Sequence, residues 1–176
     1  ESFHEWKKYS TDKKMSLVQV VIEYECTQKN RTEKEIWDGL NRAWEVMKDA
    51  VHTGLTEDMT SRSGMINNGA KKVYNSPKAV LSKEFQNLIS RALAAKEVNS
   101  CMGRIVAAPT AGASGIMPGV LFTLQEIHNV DDKKILEAML LAAGIALIME
   151  QRASISGAVG GCQAETGTAA AMGSGA

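Results

Sequence analysis

With 176 residues, the chain is long enough for one domain with a real core and too short for two comfortable ones. A hydrophobic share of 44% argues against global disorder, and 20 basic against 20 acidic residues, with no long block of one sign, exclude a general nucleic-acid footprint. Aromatics are only 5% while Ala, Gly and Met are plentiful, and such side chains suit close helix packing better than a β-sandwich, so a single all-α domain over residues 1–176 is expected.

In chain order, Leu17 to Cys26 is apolar and rich in β-branched residues, a pattern open to helix or strand. Thr32-Glu33-Lys34-Glu35 matches a capping box, with Thr32 as N-cap and Glu35 reaching back. The helix it opens carries Ile36, Trp37, Leu40, Ala43, Trp44, Met47 and Val51 at spacings of three and four, and Gly54 is the expected stop. Thr56 to Lys72 is polar and Gly/Asn/Ser-rich, and reads as a structured loop with short helical turns. Ser82 can cap a second helix bearing Phe85, Leu88, Ile89, Ala92 and Leu93. After the Ala108-Pro109 step comes a Gly/Ser/Thr loop, with a helix possible from Pro118 to Ile127. Asp132 to Arg152 is the strongest helix and is apolar nearly all round, which predicts a central place in the core. The last stretch, Ala153 to Ala176, has 16 Gly, Ala or Ser among 24 residues, so close backbone approach is expected there rather than side-chain packing.

Cys26, Cys101 and Cys162 are too few and scattered for a disulfide framework, which fits a reducing, cytoplasmic setting. The longest apolar run, Ala138 to Met149, spans 12 residues, whereas a membrane span needs about 20. The chain opens on Glu1 rather than Met and stops inside a Gly/Ala-rich tract, and is read as a piece of something longer.

Two Gly-rich stretches carry candidate chemistry. Pro109-Thr110-Ala111-Gly112-Ala113-Ser114-Gly115 feeds a helix start, where backbone N–H groups and hydroxyls can face an anion; from these residues alone a tight connection between packed helices is the readier explanation. It lacks the Gly-Lys-Ser/Thr ending of a P-loop, so a carboxylate suits it better than a nucleotide phosphate. In Gly157-Ala158-Val159-Gly160-Gly161-Cys162-Gln163-Ala164-Glu165, a cysteine sits in a Gly-rich turn beside polar residues, placed either for exposure at a functional surface or as a small inert hydrophobe. One thiol cannot hold a metal. Cys26 and Cys101 complete no C-x-x-C spacing, and His4, His52 and His128 have no ligand spacing.

The run Asn99 to Gly112, reading N-S-C-M-G-R-I-V-A-A-P-T-A-G, followed by Ser154-Ile155-Ser156-Gly157-Ala158 and Gly160-Gly161-Cys162-Gln163-Ala164-Glu165, resembles the α-subunit of iron–sulfur-dependent L-serine dehydratases. Trp44-Glu45-Val46-Met47, Ala50 to Leu55 and Ser61 to Met65 resemble the same family, so the likeness covers roughly residues 36–176. The resemblance implies a helical α-domain and a [4Fe-4S] cluster held by three cysteines. The first of these falls on Cys162, and the other two lie downstream in a C-x10-C arrangement. No cysteine follows Cys162 here, so the 176 residues are expected neither to assemble a stable cluster nor to turn over by themselves, and their Gly/Ala-rich end is expected to fray.

The activity the resemblance implies is β-elimination of water from L-serine, giving aminoacrylate and then pyruvate and ammonia. Thr110, Gly112, Ser114 and Gly115 are candidates for the substrate carboxylate, with Asn67 and Asn68 as further polar residues of the pocket. Lys71 is conceivable as the base, though a solvated surface role suits it better; the base could also lie on a β-subunit or β-domain, and an oligomer is expected. Three alternatives stand beside this reading. One is a pyridoxal phosphate enzyme, against which no lysine in a recognisable Schiff-base context stands beside the Gly-rich loops. The others are a cluster-dependent L-cysteine desulfidase and a non-catalytic helical module for a small carboxylate.

Overall fold

The computed structural model describes residues 2–77 and 80–176. Among them lie eight α-helices, one 3-10 turn and no strand, so the fold is all-α; a lone antiparallel bridge joins Thr60 to Asn67. The helices are α1 (Phe3–Lys13), α2 (Leu17–Gln28), α3 (Glu33–Thr56), α4 (Gly69–Tyr74), α5 (Lys83–Ser100), α6 (Ile116–His128), α7 (Asp132–Arg152) and α8 (Gly157–Gly175). No helix among the described residues is long and apolar enough to cross a membrane.

Local capping chemistry sets most of the starts. Reciprocal capping boxes open α1 at Ser2/Glu5, α2 at Ser16/Gln19 and α3 at Thr32/Glu35, and single side-chain caps from Ser82 and Asp131 open α5 and α7. The Ser16 box resolves the ambiguous run after Leu17 as helix.

Three expectations need correction. Gly54 does not end α3, which runs on to Thr56; a Cβ at Gly54 would stand 2.5 Å from the Ala94 carbonyl oxygen, so this glycine lets α3 and α5 touch backbone to backbone. The sixth helix begins at Ile116, two residues before Pro118, which falls within its first turn. The Gly/Ala-rich end is ordered rather than frayed: α8 reaches Gly175, Ala169 and Met172 are buried, and Ala176 packs against the main core cluster.

That cluster joins Trp44 and Met47 of α3, Met117 and Leu121 of α6, Ile135, Leu136, Met139 and Ala142 of α7, and Met172 of α8. A second gathers Trp6, Val20, Val21 and Ile36 around Leu140 and Ile148 of α7. Serving two clusters from two faces, α7 is apolar nearly all round because it is central. A third, smaller cluster of Ala50, Met59, Ala95 and Val98 fixes α5 on α3. Held in this way, α5 becomes the platform on which the 109–115 loop rests.

Candidate functional site

The chain leaves α5 through Met102 in left-handed geometry (φ 64°) and returns past a cis Ala108-Pro109 bond to the 3-10 turn Ala111–Ala113. Donors aimed at this turn occupy its carbonyls. From α5, Lys96 Nζ donates to Gly112 O (3.1 Å) and Asn99 Nδ2 to Ala111 O (3.2 Å); Ser114 Oγ also donates to Ala111 O (2.9 Å). The N–H groups of Ala111 and Gly112 open the turn, have no acceptor within it, and belong to exposed residues. Thr110 Oγ1 is buried without a hydrogen-bond partner among the described residues. Ser114 and Gly115 are buried, and a Cβ on Gly115 would collide with the Ala92 carbonyl of α5. Of the sequence candidates in this loop, Gly112 therefore stands at the surface, Thr110 is half-buried, and Ser114 and Gly115 lie beneath.

The second Gly-rich stretch is a helix rather than a turn, broken at one point. Gly161 has φ 73° and ψ 175°, a conformation almost confined to glycine, and it divides α8 in two. Cys162, the first residue past this kink, is exposed. Beyond it, Glu165 turns its carboxylate onto the loop: a Cβ on Gly112 would come within 2.9 Å of Glu165 Cδ, and so would one on Gly157. The two motifs thus meet at Gly112, which has the Glu165 carboxylate against its Cα and the Lys96 ammonium on its carbonyl. Glu165 is half-buried and makes no ion pair among the described residues. A hollow of about 290 Å³ beside them is walled by Lys96, Gly112, Gly115 and Thr166, with Leu88 and Ala92 of α5.

Lys96 is the residue that sequence reasoning missed. It belongs to no motif and reaches the loop only because α5 is packed beneath it. Lys96 stands beside the Gly-rich loop in space though not in sequence. Glu165 was visible in the sequence only as a polar neighbour of Cys162.

Asn67 and Asn68 lie elsewhere on the platform. Asn68 is left-handed (φ 54°), and its Oδ1 accepts from the Met59 N–H at 2.6 Å. The Asn68 amide donates to Asn67 Oδ1 at 3.4 Å. The next two N–H groups, of Gly69 and Ala70, donate to the buried Glu97 carboxylate at 2.8 and 3.3 Å. Glu97 and the Lys96/Asn99 pair point from different sides of α5, so these asparagines are not brought to Gly112 by any described contact. Lys71 is paired with Asp58 (2.8 Å), whose carboxyl its ammonium holds below the ordinary value.

The cysteines do not converge. Cys26 packs against the second cluster and Cys101 against the third, both half-buried. No group of three or more His, Cys, Asp or Glu capable of holding a metal ion occurs among the described residues. The described residues therefore make no whole metal site, and Cys162 is the exposed one of the three thiols. A cavity of about 510 Å³ lies between α2, α3, α7 and the Val106–Pro109 run, lined mainly by apolar side chains such as Met47, Met117, Met139 and Leu140.

Comparison with known proteins places these features in a family. The family model described as "Serine dehydratase alpha chain" matches residues 12–176. The chain is 37% identical over 161 residues to "L-serine dehydratase, alpha chain" of Peptoniphilus asaccharolyticus, covering 90% of this chain and 55% of that protein. It is 35% identical over 164 residues to "Probable L-serine dehydratase, alpha chain" of Bacillus subtilis, covering 92% and 54%. Against "L-serine dehydratase TdcG" of Escherichia coli the identity is 36% over 152 residues, covering 81% and 33%. The chain thus spans about half the length of the first two relatives and a third of the last.

Proposed function

The chain belongs to the serine dehydratase alpha chain family, and from that premise we propose that it forms part of an enzyme that dehydrates L-serine to pyruvate and ammonia. The observation that carries this reading is the meeting of the two motif stretches at Gly112, where the Lys96 ammonium and the Glu165 carboxylate both reach the loop, three residues along α8 from the exposed Cys162.

The reaction removes the α-hydrogen and the β-hydroxyl of serine. The aminoacrylate that forms tautomerises to an imine, and water then hydrolyses this to pyruvate and ammonia. On this face, the N–H groups of Ala111 and Gly112 form the donor side for the substrate carboxylate, with the unpartnered Thr110 hydroxyl next to them. Ser114, tied to Ala111 O, and Gly115, pressed on Ala92, act by fixing the turn that presents those donors. Asn67 and Asn68 act at most through the shape of the neighbouring loop.

Cys162 would be one thiolate ligand of a [4Fe-4S] cluster, and such a cluster, when bound, supplies an open iron as Lewis acid for a leaving hydroxyl. Its position at the start of a helical segment suits an anionic sulfur. Cys26 and Cys101, each packed against a hydrophobic cluster, are left outside this role. The general base is assigned to none of the described residues, and a β-subunit or β-domain is the proposed partner.

The test is made on the full-length protein reconstituted anaerobically with iron and sulfide. Pyruvate should form from L-serine; Cys162→Ala should lose both iron and turnover, whereas Cys101→Ala should keep its iron. Full turnover in Cys162→Ala would sink the reading. The position of Lys96 gives the pyridoxal phosphate alternative one supporting contact, and a visible absorption band removed by borohydride would decide for it. Faster turnover of L-cysteine than of L-serine would instead point to a desulfidase, and turnover of neither to a carboxylate-binding module.

A further inference from the structure

We propose that Lys96 and Glu165 are the two charges by which this site recognises the zwitterion of a small α-amino acid, with Glu165 taking the α-ammonium and Lys96 joining the loop N–H groups on the α-carboxylate. The proposal rests on the serine reading above and deepens it.

Both groups are anchored to one residue from opposite ends of the sequence pattern. Lys96 comes up from α5 and is held by Gly112 O at 3.1 Å. An ammonium has three N–H donors, so this bond leaves two for a ligand. Glu165 comes down from α8 and lies against the Cα atoms of Gly112 and Gly157, each of which would lose that approach if it carried a Cβ. Its half-buried carboxylate has no salt bridge among the described residues, and an anion drawn partly out of water without a donor is unfavourable until a cation meets it. Lys96 and Glu165 do not satisfy one another within ion-pair distance, although they share Gly112.

A zwitterion presents opposite charges on neighbouring atoms and would be met by this separated pair. A hydroxy acid would find Lys96 but leave Glu165 bare, and an amino alcohol the reverse. Leaving one member of such a set unpaired is what gives polar sites their discrimination. A hollow of about 290 Å³ bordered by Lys96, Gly112 and Thr166 has the volume of a small amino acid, and Glu165 reaches it through Gly112, the residue it shares with Lys96, rather than as part of its wall.

The test uses the full-length enzyme with three ligands: L-serine, 3-hydroxypropanoate without the ammonium, and ethanolamine without the carboxylate. Glu165→Gln, which keeps size and removes charge, should raise KM for L-serine about tenfold or more and weaken ethanolamine comparably, with 3-hydroxypropanoate inhibition unchanged. Lys96→Gln should weaken L-serine and 3-hydroxypropanoate and spare ethanolamine. If either variant weakens all three ligands alike, the residue only shapes the turn and the proposal falls. It falls equally if neither variant alters any ligand. Should the unsubstituted enzyme fail to turn over serine, the serine reading fails separately, and the same crossed pattern read by calorimetric titration still decides the charge pairing.

Discussion

The core around Trp44 and the face around Gly112 are built on opposite principles. In the core, side-chain volume does the holding: Trp44 is 1% exposed, lies tilted by 35° against Phe122 at a 4.5 Å centroid distance, and shares its cluster with Met117, Leu121 and Ile135. At the face, what matters is that side chains are missing. Gly115 lets α6 start against the Ala92 carbonyl, Gly112 and Gly157 make room for Glu165, and Gly161 turns the chain where Cys162 is presented. Filling space stabilises a core, whereas leaving it open exposes backbone donors and charged groups to a ligand.

Removing volume from the core should have the largest effect. Trp44→Ala should cost about 3–5 kcal/mol, read as a lower denaturation midpoint at unchanged slope. A loss below about 1 kcal/mol would mean that the core relaxes around the gap, and the contrast with the glycine face would fail.

Adding volume at the face should come next. Gly115→Ala drives a methyl into the Ala92 backbone, which cannot swing aside, so a loss of about 3 kcal/mol is expected, at the upper end for overpacking. Gly112→Ala meets only the end of the Glu165 side chain and should cost less stability than Gly115→Ala while harming turnover more. Equal stability losses in the two variants, measured by denaturation, would erase the distinction between a glycine kept for packing and one kept for a ligand.

The sequence disclosed the core side of this comparison far better than the face. The starts of α3 and α5 are legible because Thr32/Glu35 and Ser82 act within three residues of themselves, and α7 shows in its long apolar run. Gly54 misled because a glycine near a helix end signals both a stop and a close approach, and only the position of Ala94, supplied by tertiary packing, tells which. The first helix has too weak an apolar pattern to stand out although Ser2 and Glu5 cap it reciprocally, and α8 is masked by its own composition, whose helical bonds are bonds of backbone. At the site, the P-T-A-G and G-C-Q-A-E stretches stood out, yet Lys96 did not, because its contact with Gly112 depends on how α5 lies under the loop.

A finer test lies inside α8, where two glycines with open surroundings should behave in opposite ways. Nothing lies within 4 Å of a Cβ on Gly161 or on Gly167, so sterics with neighbours cannot separate them. Backbone can. Gly161 sits at φ 73°, and Gly161→Ala should lose about 1–2 kcal/mol, the lower part of the range for a non-glycine residue held in that region. Destabilisation of that size, together with altered accessibility of the Cys162 thiol to an alkylating reagent, would show that the kink sets the presentation of the cysteine.

Gly167 has ordinary helical backbone and no contact to lose, so Gly167→Ala should stabilise the chain by about 0.5–1 kcal/mol by restricting the unfolded state. This smallest effect also informs on function. A methyl at Gly167 follows Thr166, which borders the hollow beside Gly112, on an exposed stretch of α8. If the full-length enzyme gains the same stability and keeps its KM for serine, Gly167 is an unoptimised helix position. If the variant gains stability but loses turnover of serine, the open space at Gly167 is filled in the working enzyme, and α8 carries a second close approach in addition to the one at Gly112.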